Sequence, residues 1–122
     1  MVKVILVVED EPKNLKLFRD LLQHSGYTTI EATDGEQGVE LAIDKKPDLI
    51  LMDIQMPRMD GLEAIRILKA DVTTRNIPIV ALTSYAMKGD KERILEAGCD
   101  GYLAKPFDIQ ELLKTVAEYL SG

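Results

Sequence analysis

Two hydrophobic periods alternate along the chain. Nearly unbroken apolar runs of strand length, from Val4 to Val8, Leu49 to Met52 and Ile79 to Leu82, are separated by segments whose apolar residues recur three and four apart. Tyr27 to Ala32, with Thr28, Thr29 and Ile30, reads as a weaker strand, and Tyr102-Leu103-Ala104 as a very short one. Pro12 suits the first position of a helix that carries Leu15, Phe18, Leu21 and Leu22 and stops at Gly26. Asp34 can cap a second helix with Val39, Ala42 and Ile43 on one face, and Asp60 a third with Leu62, Ile65 and Leu68. Asp108 caps the last, whose Ile109, Leu113, Val116, Ala117 and Leu120 form the expected core-facing stripe. Tyr85 to Gly98 is the weakest helix, interrupted by Gly89 and Asp90, with only Ile94 and Leu95 as large aliphatics after Met87. A helix with so little to bury is among the easier elements to shift.

Five strands alternating with five helices, most strands continuously apolar, predict a single α/β domain over residues 1–122, a parallel sheet covered on both faces. Right-handed crossovers then bring every strand's C-terminal end to one edge, where such folds bind ligands.

Composition narrows the function. The net charge is −6, and no row of Lys or Arg is interleaved with aromatics, which argues against a nucleic-acid partner. No apolar run is long enough for a membrane span or a signal-peptide core, so a cytoplasmic protein is expected. The single cysteine, Cys99, has no disulfide or metal-ligand partner and reads as a packing residue; His24 sits at a helix end, where it can meet the helix dipole.

Candidate chemistry gathers at the strand ends. Glu9 and Asp10 follow the first strand, Asp53 the third, Thr83 and Ser84 the fourth and Lys105 the fifth. Strand two offers nothing comparable, as expected of a strand at the sheet's edge. Each residue has an innocent reading: strand terminator, helix-dipole partner, loop cap or surface charge. Their coincidence at one edge is what those readings leave unaccounted for. Three carboxylates brought together repel unless a cation lies between them, and an all-oxygen set favours a hard ion, Mg²⁺ with Mn²⁺ as a substitute. Metal, ammonium and hydroxyl are what a carboxylate needs to accept a phosphoryl group, and Asp53, Lys105 and Thr83 supply carboxylate, ammonium and hydroxyl. Aspartate is ordinarily ionised at neutral pH, so the site has only to place it and shield its charge.

With Asp53 followed by Pro57 and Asp60-Gly61, the pair Glu9-Asp10 before it, and Thr83, Tyr102 and Lys105-Pro106 after it, the chain resembles the receiver domain of two-component response regulators. The resemblance spans nearly its whole length and implies a flavodoxin-like strand order 2-1-3-4-5. It implies that Asp53 takes a phosphoryl group from a phosphohistidine on a sensor histidine kinase or histidine phosphotransfer protein. Asp10, Asp53 and the backbone carbonyl of Gln55 would hold the metal, with Glu9 acting through water; most relatives carry aspartate at the Glu9 position. Thr83 and Tyr102 would be the switch residues, remodelling the face of helix four, strand five and helix five for a downstream protein partner. The Lys105-Pro106 bond is expected to be cis. Gln55 and Tyr85 would set the lifetime of the phosphoryl group, a bulky Tyr85 shielding it from water. The stretch from Thr83 to Asp90 is similar to that of DivK-type single-domain regulators and of receivers attached to hybrid kinases.

Two rivals remain at this level. A haloacid dehalogenase-type phosphohydrolase also joins Asp, Mg²⁺, Thr and Lys on a parallel sheet, but places a second Asp two residues after the nucleophile, where this chain has Gln55. A docking module with a vestigial acidic pocket is the other. On the receiver reading the chain is a phosphoacceptor that assists its own phosphorylation and dephosphorylation, not a turnover enzyme.

Overall fold

The computed structural model describes residues 2–54, 61–84, 90–105 and 108–120. The elements run β1 (Val4–Val8), α1 (Pro12–His24), β2 (Thr28–Ala32), α2 (Gly35–Lys45), β3 (Leu49–Asp53), α3 (Gly61–Ala70), β4 (Ile79–Thr83), α4 (Asp90–Glu96), β5 (Gly101–Ala104) and α5 (Ile109–Leu120). The strands form one parallel sheet in the order β2-β1-β3-β4-β5. Strand order therefore reverses between β1 and β3, and the expected edge position of β2 holds.

The sheet separates two cores because strand side chains alternate between its faces. Ile5, Val7, Leu49, Leu51, Val80, Leu82 and Leu103 pack against α1 and α5 through Phe18, Leu22, Leu112 and Val116. The intervening residues, among them Leu6, Val8, Ile50, Met52, Ile79 and Ala81, pack against α2, α3 and α4. Every residue of β3 and β4 is buried, which is why these strands read as unbroken apolar runs.

Local signals account for the helix ends. Pro12 opens α1, and Glu11 caps it by accepting from the Lys13 N–H. The Asp34 carboxylate accepts from the Gln37 N–H at α2, and that of Asp108 from the Glu111 N–H at α5. Asp60, the expected cap of α3, lies outside the described residues. Two apolar stripes differ from the sequence reading. In α2 the buried positions are Gly35, Gly38 and Ala42, while Ile43 is exposed: small residues let this helix lie close to Val8, which a Cβ on Gly38 would meet at 2.8 Å. In α5 the buried residues are Leu112 and Val116, flanked by Leu113, Tyr119 and Leu120; Ile109 is 50% exposed and Ala117 is exposed too. The expected stripe was rotated, since Leu112 and Leu113 are equally apolar and periodicity alone cannot rank neighbours on a helix.

Of the segment expected to form the weakest helix, residues 85–89 lie outside the described residues. Among the described residues α4 spans Asp90–Glu96, where Ile94 is buried and Leu95 is 42% exposed. The connection from α4 to β5 is tied down at Asp100: the Lys69 ammonium on α3 donates to the carbonyls of Arg75 and Ile77 and to Asp100 Oδ2 at 2.8 Å. Asp100 Oδ2 also accepts the Ile79 N–H at 2.8 Å, and its carbonyl accepts from the Tyr119 hydroxyl. These bonds knit α3, β4, β5 and α5 at the sheet edge opposite the carboxylates.

The rotated stripe reverses the ranking of two substitutions, because the expected stripe places Ile109 in the core and leaves Leu112 out of it. Leu112→Ala should lower unfolding free energy by about 2–5 kcal/mol, and Ile109→Ala by about 0.5 kcal/mol or less, as read from urea denaturation midpoints.

Candidate phosphoacceptor site

Ladder hydrogen bonds carry strand alternation past the strand ends. The Glu9 N–H donates to the Ala32 carbonyl at 3.0 Å and the Lys105 N–H to the Thr83 carbonyl at 2.6 Å. Two steps from Val7, Leu51 and Leu103 respectively, Glu9, Asp53 and Lys105 therefore share the sheet face covered by α1 and α5. They meet there. The Lys105 ammonium lies 3.1 Å from Asp53 Oδ2 and 3.4 Å from Glu9 Oε1, so a single cation serves two carboxylates. Glu9 and Asp53 are 1% and 2% exposed, whereas Asp10, one residue on, is exposed.

The ligand atoms of Glu9, Asp10 and Asp53 lie within 4.8 Å of one another. Three carboxyl groups against one ammonium leave an excess of negative charge in a buried hollow, and every side-chain donor is oxygen. This set fits a hard divalent cation. Both carboxyl oxygens of Glu9 already have partners: its Oε1 accepts from Lys105 and its Oε2 from the Glu11 N–H at 3.1 Å.

Burial, more than any other influence, pushes the Glu9 carboxyl up to about 7 from its ordinary 4.5; the neighbouring Asp53 carboxylate adds to this, and the Glu11 N–H and Lys105 oppose it. A proton on Glu9 relieves the repulsion that a cation would otherwise relieve.

Thr83 is fully buried at the end of β4. It shares the alternation of Ile79 and Ala81, and Ala81 is in register with Tyr102. Thr83 and Tyr102 thus lie on the sheet face opposite that of Asp53 and Lys105, the face covered by α4. Tyr102 is half-buried against this second core. Of the other expected site residues, Gln55, Tyr85 and Pro106, and with Pro106 the Lys105-Pro106 bond, lie outside the described residues. The role of Glu11 was not foreseen: its contribution is a backbone N–H, which no side-chain pattern signals.

A doubly wound sheet with an acidic hollow closed by a lysine ammonium at its strand-order reversal is the architecture of receivers, and the chain belongs to the response regulator receiver domain family, whose model matches residues 5–117. Within that family it is 48% identical over 120 residues to the polar-differentiation response regulator DivK of Brucella anthropi, with 98% of each chain covered. The DivK of Brucella ovis matches equally, at 48% over 120 residues. Among solved structures, the receiver domain of a sensor histidine kinase from Pseudomonas aeruginosa is 38% identical with a TM-score of 0.92, covering 100% of both chains. It was crystallised with a magnesium ion coordinated in its active-site cleft. Chemotaxis protein CheY4 of Vibrio cholerae is 29% identical with a TM-score of 0.92, over 98% of this chain and 100% of that one. The dehalogenase-type alternative is therefore not favoured. Among the described residues, no helix is long and apolar enough to cross a membrane.

The raised Glu9 carboxyl gives the metal-free protein a pH signature. Because the folded form holds this proton more tightly than the unfolded chain, the contribution is fully present below pH 4.5 and is lost as pH rises through about 7. The loss is on the order of 3 kcal/mol at most. Denaturation of metal-free wild type and Glu9→Gln between pH 4.5 and 8 should show the variant gaining on wild type as pH rises.

Proposed function

We propose that Asp53 is the phosphoacceptor of this receiver and that the phosphoryl group comes from a phosphohistidine of a sensor histidine kinase or histidine phosphotransfer protein. The observation that carries this reading is the Lys105 ammonium 3.1 Å from Asp53 Oδ2, in a hollow shared with Glu9 and Asp10. A carboxylate oxygen of Asp53 attacks phosphorus, the P–N bond of the donor breaks, and the imidazole leaves as it takes up a proton. The product is an acyl phosphate. The Lys105 ammonium, already at the carboxylate, neutralises charge on the transferring group, and the buried Thr83 hydroxyl at the neighbouring strand end is the donor for a further phosphoryl oxygen.

A divalent ion, Mg²⁺ or Mn²⁺ in its place, would be held by Asp10 and Asp53 and by the carbonyl of Gln55, a residue outside the described ones, with Glu9 acting through water. When bound, it supplies compensating charge for the phosphoryl oxygens. Attack of water on the acyl phosphate returns Asp53 to its starting state, which makes the chain a carrier that assists its own dephosphorylation and not a turnover enzyme. Tyr85 and Gln55, both outside the described residues, would set the lifetime of that phosphoryl group, a bulky Tyr85 keeping water from it.

Signalling proceeds through the face of α4, β5 and α5 to a downstream protein partner in the cytoplasm. What supports this is the shared sheet face of Thr83 and Tyr102 beneath α4. A hydroxyl drawn toward the phosphoryl group vacates space on that face, and the Tyr102 ring is the side chain placed to follow it. No nucleic-acid or membrane partner enters this reading.

Incubation with acetyl phosphate and Mg²⁺, followed by intact-mass measurement, tests the acceptor. Wild type should gain one phosphoryl group, while Asp53→Asn, or wild type with the metal chelated, should gain none. Lys105→Met should slow the gain by roughly 10²-fold or more, the loss expected when one preorganised charge is removed. An unmodified wild type, or Asp53→Asn modified like wild type, would refute the assignment.

A further inference from the structure

We propose that Gly61, through its missing side chain, is a positioning residue for phosphoryl acceptance and cation binding at Asp53. The inference rests on Asp53 being the acceptor. After Ile54 the chain returns to the site at Gly61, the first residue of α3, whose N–H donates to the Ile54 carbonyl at 3.4 Å. A Cβ added there would overlap the Ile54 Cα and lie 2.5 Å from the Asp53 carbonyl oxygen and 3.0 Å from its carbonyl carbon.

All three of those atoms are backbone, and two belong to Asp53 itself. This sets Gly61 apart from the other crowded glycines. A Cβ on Gly101 would meet the Tyr119 hydroxyl, the far end of a long side chain, and one on Gly38 the methyls of Val8, so in both cases it is a side chain and not the backbone of the acceptor that must give. At Gly61 the helix start or the Asp53–Ile54 peptide has to move. The helix cannot simply retreat, because Leu62, Ala64, Ile65 and Leu68 anchor α3 in the core that also holds Met52 and Ile54. The peptide cannot move freely either: the Ile54 N–H donates to the Leu82 carbonyl at 3.1 Å, and Asp53 is in register with Leu82. What gives is the plane of the peptide directly after the nucleophile, and with it the direction of the Asp53 carboxylate relative to Lys105 and Asp10. Contact of Gly61 with that peptide therefore fixes the carboxylate from behind, as Lys105 fixes it from the front.

The experiment compares wild type, Gly61→Ala and Gly101→Ala, the last a control for a crowded glycine at the opposite sheet edge. Mg²⁺ affinity by calorimetry and the rate of phosphorylation by acetyl phosphate are measured well below each variant's melting temperature. Gly61→Ala should bind Mg²⁺ about tenfold more weakly and be phosphorylated about tenfold or more slowly, as expected for a misplaced reacting group. Gly101→Ala should match wild type in both while losing stability. Equal Mg²⁺ affinity and rate in Gly61→Ala and wild type overturn the proposal but leave Asp53 as acceptor. A wild type that gains no phosphoryl group removes both.

If Gly61→Ala does not fold, wild type itself decides. Coupling is reciprocal, so a contact that favours cation binding is favoured by the cation. Saturating Mg²⁺ should slow exchange of the Gly61 amide several-fold more than that of the Thr74 amide, which donates to the Asp71 carbonyl away from the site. Equal slowing of the two amides overturns the proposal.

Discussion

One ammonium between two buried carboxylates is the constraint around which the molecule is arranged. Burying Asp53 and Glu9 side by side is unfavourable unless something compensates their charge, and Lys105, reaching in from the opposite half of the sequence, does so at 3.1 and 3.4 Å. That compensation is partial, which is the chemically useful state. Burial, reinforced by the neighbouring Asp53 carboxylate, raises the Glu9 carboxyl toward neutrality, and the negative charge left over makes the hollow attractive to a divalent ion.

The fold serves this arrangement by making the three residues agree in direction. β1, β3 and β5 run parallel, their side chains alternate in phase, and the ladder continues far enough beyond each strand to aim Glu9, Asp53 and Lys105 to one face. Thr83 comes from the same edge with the opposite alternation. The site thus straddles the sheet, with charge on the side of α1 and α5 and a hydroxyl on the side of α4.

Much of this was legible in the sequence because the central strands are buried on both faces, and a run such as Leu49 to Met52 that closes on a carboxylate fits a central strand and little else. The strand ends, the convergence of Glu9, Asp10, Asp53 and Lys105, the edge position of β2 and the capping by Asp34 and Asp108 all followed from apolar runs and punctuation. Helix orientation was less legible. Ile43 and Ile109 were expected inward and are exposed, because a helix seated by glycines, or offering two adjacent leucines, can rotate without spoiling its period. The glycine contact behind Asp53 and the Glu11 N–H were not legible at all, since both act through backbone, and the strand order was borrowed from the family.

The Lys69–Asp100 tether has a consequence for how such a domain can diversify. It ties four elements at the edge of the sheet where the strands begin, one strand length, roughly 17 Å, from the carboxylates where they end. Cohesion and chemistry are thereby assigned to opposite rims of one sheet. Substitutions at the rim that carries the carboxylates therefore leave the bonds that hold the layers together untouched, and substitutions at the far rim leave the acidic hollow in place.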